Sequence, residues 1–319
     1  MLDKIKRLKK DPRDIICFIL SRKLFWIIPD KIYLKMKYRV TNGKKLNLKN
    51  PSTFSEKLQW LKLYDRRPEY IRMVDKYKVR NYIKKKIGEE YLIPLYGVYD
   101  HFDEIDFSKL PNQFVLKPNH TSGDIYICKD KNEINMRVLR KTVNRWMKRR
   151  YYWLHREWPY KYIKPKIICE AFITDTGKVP DDFKVLCFDG KAKLIEVHTG
   201  RFNNNHKLTT FTPDWDRSTL MHDFPPFIEA YEKPLLLDQM IELSEKLAAN
   251  IAHIRVDWYI VDNKLYFGEL TLYFCAGFIH YFHEVDDYIV GEWIKLPTKN
   301  KRGDKDGIIN RGRFSTNRV

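Results

Sequence analysis

The sequence predicts an α+β protein with a helical N-terminal region. Three observations carry this. Through residue 90 apolar side chains recur at helical spacing. From residue 91 they gather in short runs rich in β-branched and aromatic residues. Two longer helical stretches then interrupt those runs. Strands broken by helices, with no long Gly/Ser linker between them, argue for a mixed fold with much antiparallel sheet.

The elements follow in order. The opening "MLDKIKRLKKDPRD" is charged and lacks a small-residue cleavage site, so no secretory leader is expected. "IICFILSRKLFWII" is apolar but broken by Arg22 and Lys23, and falls short of the roughly 20 apolar residues a bilayer span needs. It reads as a packed helix or as a segment lying on a membrane surface. In "NPSTFSEKLQWLKLYD", Thr53 has N-cap chemistry with Glu56 three residues on, and Phe54, Leu58 and Leu61 form an apolar stripe. "YIRMVDKYKVRNYIKKKIG" reads as one basic helix ending at Gly88. The runs "YLIPLYGVY", "QFVLKPN", "DIYICKD", "KIICEAFI", "DFKVLCFDG" and "KAKLIEVHT" read as strands, while "MRVLRKTVNRWMKRRYYWLHR" and "LLLDQMIELSEKLAANI" read as helices.

A chain of 319 residues, 44% hydrophobic, can bury a sizeable core, which excludes a wholly disordered protein. Its net charge of +19 favours polyanionic partners or an anionic surface. Residues 295–319 carry eight basic and two acidic side chains and read as a flexible basic tail. Cys17, Cys128, Cys169, Cys187 and Cys275 show no C-x-x-C pair and sit among apolar neighbours, as buried reduced thiols would. His280 and His283 lack the further ligands that a zinc site needs.

Three stretches carry chemistry. "HIRVDWYIVDNKLYFGELTLYF", residues 253–274, reads as a hairpin. With a turn centred on Asn263, Asp257 faces Glu269 and Arg255 faces Thr271, all four on one face. Two opposed carboxylates either share a cation such as Mg2+, which suits few protein oxygens completed by water and phosphate, or are neutralised by nearby Lys and Arg. In "FVLKPNHTSGDIYIC", residues 114–128, Lys117 ends a strand and Thr121, Ser122 and Gly123 form a loop. Such a loop can aim backbone N–H groups at phosphate, although the P-loop order is absent and a plain hairpin would look the same. Glu170 and Lys184 lie on strands otherwise built for burial, either to serve a ligand or to pair with each other.

These pieces occur together in an order that resembles the ATP-grasp superfamily, in its teichuronopeptide-biosynthesis (TupA-like) branch. The resemblance covers roughly residues 38–290. It rests on "NPSTFSEKLQWLKLYDRRPEY", "VDKYKVRNYIKKKIGEEYLIPLYGVY", "LPNQFVLKPNHTSGD", "REWPYKYIKPKIICEAFI", "DDFKVLCFDGK" and "RVDWYIVDNKLYFGELTLYFCAGF". It implies an ATP-grasp fold, two α+β subdomains sandwiching ATP behind a helical N-terminal region. The implied organisation is 1–90 helical, 91–165 a first subdomain with the phosphate loop and a helical insert, 166–295 a second with the metal site, and 296–319 the tail.

By that resemblance Lys117, Ser122 and Gly123 cover the ATP phosphates. Glu170 and Phe172 form the hinge at adenine and ribose, and Lys184 is the second phosphate lysine. Asp257 and Glu269 hold Mg2+, and Lys78 matches an N-terminal ATP-contacting lysine. Thr271 stands where many relatives have Asn, and the loop has one glycine where relatives often have more. The family's chemistry activates a carboxylate as an acyl phosphate, which an amine attacks to give an amide. Arg255, beside Asp257, is the candidate to steady the transferring phosphoryl group. His198, Arg201 and His206 are candidates for the substrate end of the cleft.

The branch implies a uronic-acid carboxylate of a bacterial surface polysaccharide, or of its lipid- or nucleotide-linked precursor, joined to an amino acid or amine. An anionic glycan and the anionic inner membrane face suit the positive charge, and a cytoplasmic place with peripheral membrane association is expected; nucleic acid is not the expected partner. Two other readings compete. A glycosyltransferase would need a D-x-D-type motif at a strand end, and "VDD" at 285–287 reads instead as helical surface. A non-catalytic polyanion-binding protein would have no use for Asp257 opposite Glu269.

Overall fold

The computed structural model describes residue 20 and residues 23–174, 179–200, 206–220, 231–279, 281 and 283–298. Most of the tail, the first nineteen residues and Arg201 lie outside the described residues. A short 3-10 segment Lys23–Ile27 leads to helix α1 (Asp30–Asn42), which ends on Gly43 in the left-handed conformation. Helix α2 (Phe54–Tyr64) starts as its sequence requires: the Thr53 hydroxyl accepts from Glu56 N at 3.1 Å. The Glu56 carboxylate does not close the capping box. It accepts instead from Asn47 N and Ser52 N, both at 3.0 Å, and so pins the loop that enters the helix.

The basic helix expected up to Gly88 is broken in two, α3 (Glu69–Val74) and α4 (Val79–Lys86). Asp75 is the cause. Its buried carboxylate accepts from Tyr77 N at 2.9 Å, Lys78 N at 3.2 Å and Asn119 Nδ2 at 3.0 Å, which satisfies backbone donors outside a helical ladder.

Strands β1 (Leu95–Tyr99), β2 (Phe114–Pro118), β3 (Tyr126–Cys128) and β4 (Ile167–Ala171) form an antiparallel sheet in the order β1-β4-β2-β3. Between β3 and β4 come α5 (Met136–Met147) and the short α6 (Tyr152–His155). Leu139, Val143 and Trp146 of α5 bury against Phe114, Leu116 and Ile167 in a small separate core. The second sheet comprises β5 (Asp182–Phe188), β6 (Lys191–Thr199), β7 (Lys207–Phe211), β8 (His253–Val261) and β9 (Lys264–Thr271), ordered β7-β6-β5-β8-β9 and antiparallel throughout. Helix α7 (Leu237–Ala248) covers one of its faces, and α8 (Glu284–Glu292) packs on α2. β7 was not expected from the sequence: it has only five residues, Lys207–Phe211, two of them threonines.

β4 pairs with β1 and β2, so the chain passes between sheets after Ala171 and not at 165/166 as the sequence suggested. Pattern alone identifies a strand but not the sheet that adopts it. Cys128, Cys169 and Cys187 are buried free thiols as expected. Cys275 is exposed, because it opens a run of left-handed residues, Cys275, Ala276 and Gly277, at φ 46°, 51° and 63°. Gln59 and Lys62 of α2 hold that turn: Lys62 Nζ donates to Ala276 O at 2.6 Å and Gln59 Nε2 to Gly277 O at 2.6 Å.

His253 opens β8, 2% exposed, donating from Nδ1 to Cys187 O at 3.0 Å. Burial keeps its imidazole neutral and lowers its pKa to about 3. A base whose folded pKa is depressed carries stability that is fully present above its unfolded pKa, about 6.5, and that is lost as pH falls below it. Unfolding free energy should therefore drop by about 1.4 kcal/mol per pH unit from this group between pH 6 and pH 4. Denaturant titrations of wild type and His253→Gln across that window check it: the variant should show a shallower slope.

Candidate functional site

The hairpin β8–β9 turns through Asp262 and Asn263, both at positive φ (50° and 54°), a two-residue turn of the I′ kind. A turn centred on Asn263 alone would give a different register. Yet Arg255 does face Thr271, as the sequence suggests, because β9 carries a bulge: between the Val256–Leu270 and Trp258–Phe267 pairs, Asp257 meets two residues, Gly268 and Glu269. Gly268 permits the approach, since a Cβ there would lie 3.1 Å from Asp257 O and 3.2 Å from Asp257 Cβ.

The four polar side chains share one face, and Arg255 draws the acids together. It donates to Asp257 Oδ1 at 2.6 Å and Oδ2 at 2.7 Å, and to Glu269 Oε1 at 3.1 Å. Next door on β5, Lys184 donates to Asp257 at 2.7 Å and to Asp182 at 2.8 Å, with all three side chains about 5% exposed or less. Asp182 was not singled out from the sequence. Its place two residues before Lys184, hence on the same strand face, was the available signal.

Facing this sheet across a cleft stands the first one. Lys117 of β2 pairs with Glu170 of β4 at 2.5 Å, and Arg80 of α4 joins them at 3.4 Å. The alternative of a Glu170–Lys184 pair thus fails: the two residues belong to different sheets and each has other partners. From the break between α3 and α4, Lys76 reaches Glu269 Oε2 at 3.1 Å and Thr121 O at 2.9 Å. Lys78 does not enter the cleft; its side chain is exposed. The Asp75 turn sends Lys76 inward, and Asn119, which accepts from Lys166 N at 2.7 Å, ties that turn to the end of β2 and the lead into β4.

The cleft encloses about 320 Å³ and is lined by Lys76, Lys117, Ser122, Gly123, Asp257 and Glu269 among others. It opens into an apolar recess lined by Ile93, Val115, Ile127, Phe172, Ile173 and Tyr259, with Lys117 and Glu170 at its edge. Thr121 and Gly123 shape the loop over it: the Thr121 hydroxyl donates to Asp124 at 2.8 Å, and Gly123 takes φ 77° with open space where a Cβ would stand.

The electrostatics are those of a site short of negative charge. Burial works against ionisation of Glu269, but Lys76, Arg255 and Lys184 outweigh it and hold the carboxyl below its usual range. Burial likewise opposes the charge on Arg255, yet Asp257 and Glu269 keep it charged. Among the described residues no group of three or more His, Cys, Asp or Glu is arranged to hold a metal ion by itself. Two carboxylates on one guanidinium fit a cation that takes its remaining oxygens from phosphate and water, so Asp257 and Glu269 would hold Mg2+.

His198 lies further along the same face, 8% exposed, with Nδ1 2.9 Å from His206 Nε2 and Nε2 3.4 Å from Glu196. Its cross-strand partner is Asp182.

A family profile described as TupA-like ATPgrasp matches residues 56–295. No curated protein sequence matches. Solved structures similar to this chain include D-alanine–D-alanine ligase from Bacillus anthracis complexed with ATP, at 16% identity and TM-score 0.39, over 63% of this chain and 54% of that one. The ADP complex of N5-carboxyaminoimidazole ribonucleotide synthetase shows 14% identity and TM-score 0.44, over 68% and 50%. D-alanine–D-alanine ligase from Helicobacter pylori shows 14% identity and TM-score 0.42, over 77% and 68%. The chain thus spans about half the length of the first two.

Proposed function

Since the chain belongs to the TupA-like ATP-grasp family, we propose that it is an ATP- and Mg2+-dependent ligase joining a carboxylate to an amine. The observation that carries this reading is the cleft itself: Lys76, Arg80, Lys117, Lys184 and Arg255 converge there on Glu170, Asp182, Asp257 and Glu269. Cations in excess, poorly solvated and preorganised on two sheets and the α3–α4 segment, suit a polyphosphate. The apolar recess suits a planar base, with Phe172 on its wall and Glu170 at its rim.

Mg2+ bound by Asp257 and Glu269 would supply charge that offsets the phosphates. The protein's own groups do the rest. Lys117 and Lys184 act as point charges on the phosphates, and the 121–124 loop covers them. Arg255, already on the carboxylate pair, stabilises charge that develops as the γ-phosphoryl passes from ATP to the substrate carboxylate and ADP leaves. The amine then attacks the acyl carbon, phosphate leaves with the bonding pair, and an amide remains. No enzyme nucleophile is required.

The carboxylate we assign to a uronic acid of a bacterial surface glycan or its precursor, and the amine to an amino acid or small amino compound. The net charge of +19 supports an anionic acceptor. Glu196, His198 and His206 stand on the same sheet face beyond Lys184, suited to the acceptor end. The test is a phosphate-release screen with ATP, Mg2+, uronic-acid glycosides and amino acids, followed by mass spectrometry. Release that requires both co-substrates, with an amide product, is the expected result. Failure of every pair, together with no nucleotide binding, would end the ligase reading.

The Lys76–Lys78 distinction is separately testable. Lys76→Ala should weaken binding of a non-hydrolysable ATP analogue about tenfold or more, the loss of one charge-assisted bond. Lys78→Ala should leave it unchanged. Calorimetry reads both, and the reverse order would restore Lys78 to the site.

A further inference from the structure

The outward face of α1 and the turn before it take no part in the cleft. Leu24 is 77% exposed, Ile27 86%, Ile32 51% and Met36 39%. On α1 itself Ile32 and Met36 stand four residues apart and so share a stripe. Beside it runs a second stripe, Lys31, Lys35 and Arg39, all exposed. Among the described residues no carboxylate pairs with these three. Asp30, the acid of the helix's first turn, is turned away to Arg66 at 2.9 Å and Arg156 at 3.5 Å. At the N-terminal end Trp26 stacks on Trp153 with centroids 4.7 Å apart, and Lys23 stands over Trp26.

We propose that this face docks on an anionic lipid bilayer, with Leu24, Ile27, Ile32 and Met36 entering the headgroup–acyl boundary and Lys31, Lys35 and Arg39 meeting lipid phosphates. Large apolar side chains exposed in water and rimmed by cations are what an interfacial helix presents. The alternatives fit less well. A nucleic acid would use the cations but leave the apolar stripe in water. A second copy, paired about a twofold axis, would bring like charges together. The preceding segment, residues 1–22, carries seven basic and three acidic side chains, which adds to attraction for an anionic surface. Among the described residues no helix is long and apolar enough to cross a membrane, and the contact is therefore peripheral.

Sedimentation of the full chain with vesicles tests it. Phosphatidylcholine vesicles should leave the protein in the supernatant. Vesicles that also contain phosphatidylglycerol should pellet it, less so as salt rises. Lys31→Gln/Lys35→Gln/Arg39→Gln should lower the partition coefficient on the order of 100-fold, about fivefold per cation. Ile32→Ser/Met36→Ser should lower it about tenfold with every charge intact. Both variants alter outward-facing positions, and unchanged thermal melts would show that the fold is retained. The proposal is overturned if wild type ignores the mixed vesicles, or if neither variant weakens binding. It is equally overturned if the apolar variant is silent while duplex DNA displaces the protein from lipid, or if sedimentation velocity shows a dimer that the apolar variant dissolves.

Discussion

Asp257→Asn should reduce Mg2+-dependent ATP turnover by about a hundred- to a thousandfold, the scale expected when a preorganised electrostatic group at a transition state is removed. The substitution keeps the shape and removes only the charge. Asp257 is the point at which the β8–β9 hairpin, the β5 lysine and Arg255 meet, accepting from Lys184 at 2.7 Å and from Arg255 at 2.6 Å. Read from the sequence, the change should leave folding largely intact. The buried network alters that: it also costs about 3 kcal/mol, the low end for breaking a buried ion pair. The cost stays there because each cation keeps another partner, Lys184 through Asp182 and Arg255 through Glu269. Phosphate release and calorimetric melting measure the two effects separately. Turnover at the wild-type rate would remove Asp257 from the metal site. Should the variant not fold, Glu269→Gln repeats the test at a side chain 29% exposed, where less burial is at stake.

Lys184→Met should be the most destabilising change in the cleft, by about 3–5 kcal/mol, with a melting temperature lower on the order of 10 °C. Methionine matches the length and fits the buried strand, so packing alone predicts tolerance. Electrostatics decides otherwise. Asp182 and Asp257 are 5% and 4% exposed and both rest on the Lys184 ammonium, Asp257 with Arg255 besides, and in so poorly solvated a place two carboxylates repel strongly. Adding Asp182→Asn to Lys184→Met should recover a good part of the stability by removing one of those charges. It should not recover turnover, since the cation proposed to meet the phosphates is still missing. Calorimetric melts of the single and double variants, beside their phosphate-release rates, check this. A single variant as stable as wild type, or a double variant that turns over normally, would contradict the arrangement.

How legible the site was depends on which interactions specify it. The pairing of Arg255 with Thr271 was readable because strand alternation is local and the hairpin closes on itself. It survived an incorrect turn because the bulge at Gly268 absorbs the difference of one residue. The N-cap at Thr53 was readable for the same reason, as a contact with a residue three positions away. The break at Asp75 was not, since one of the three hydrogen bonds that hold its carboxylate comes from Asn119, 44 residues distant. The resemblance pointed to Lys78, on a helix that was assumed continuous, and Lys76 was not singled out. Once the helix stops, neighbouring lysines point in different directions, and only Lys76 reaches Glu269.

Composition and period thus settled the mixed fold, its strands and helices apart from β7 and the break at Asp75, and the clustering of acids with arginine on one ribbon, because each follows from residues near one another in the chain. Which sheet takes β4, which lysine answers which carboxylate, and the bringing of Lys76, Lys117 and Lys184 to one cleft rested on contacts between distant segments. Those are governed by how two sheets and a helical region pack, and by the requirement that every buried charge find its opposite, a condition no single stretch of sequence can state.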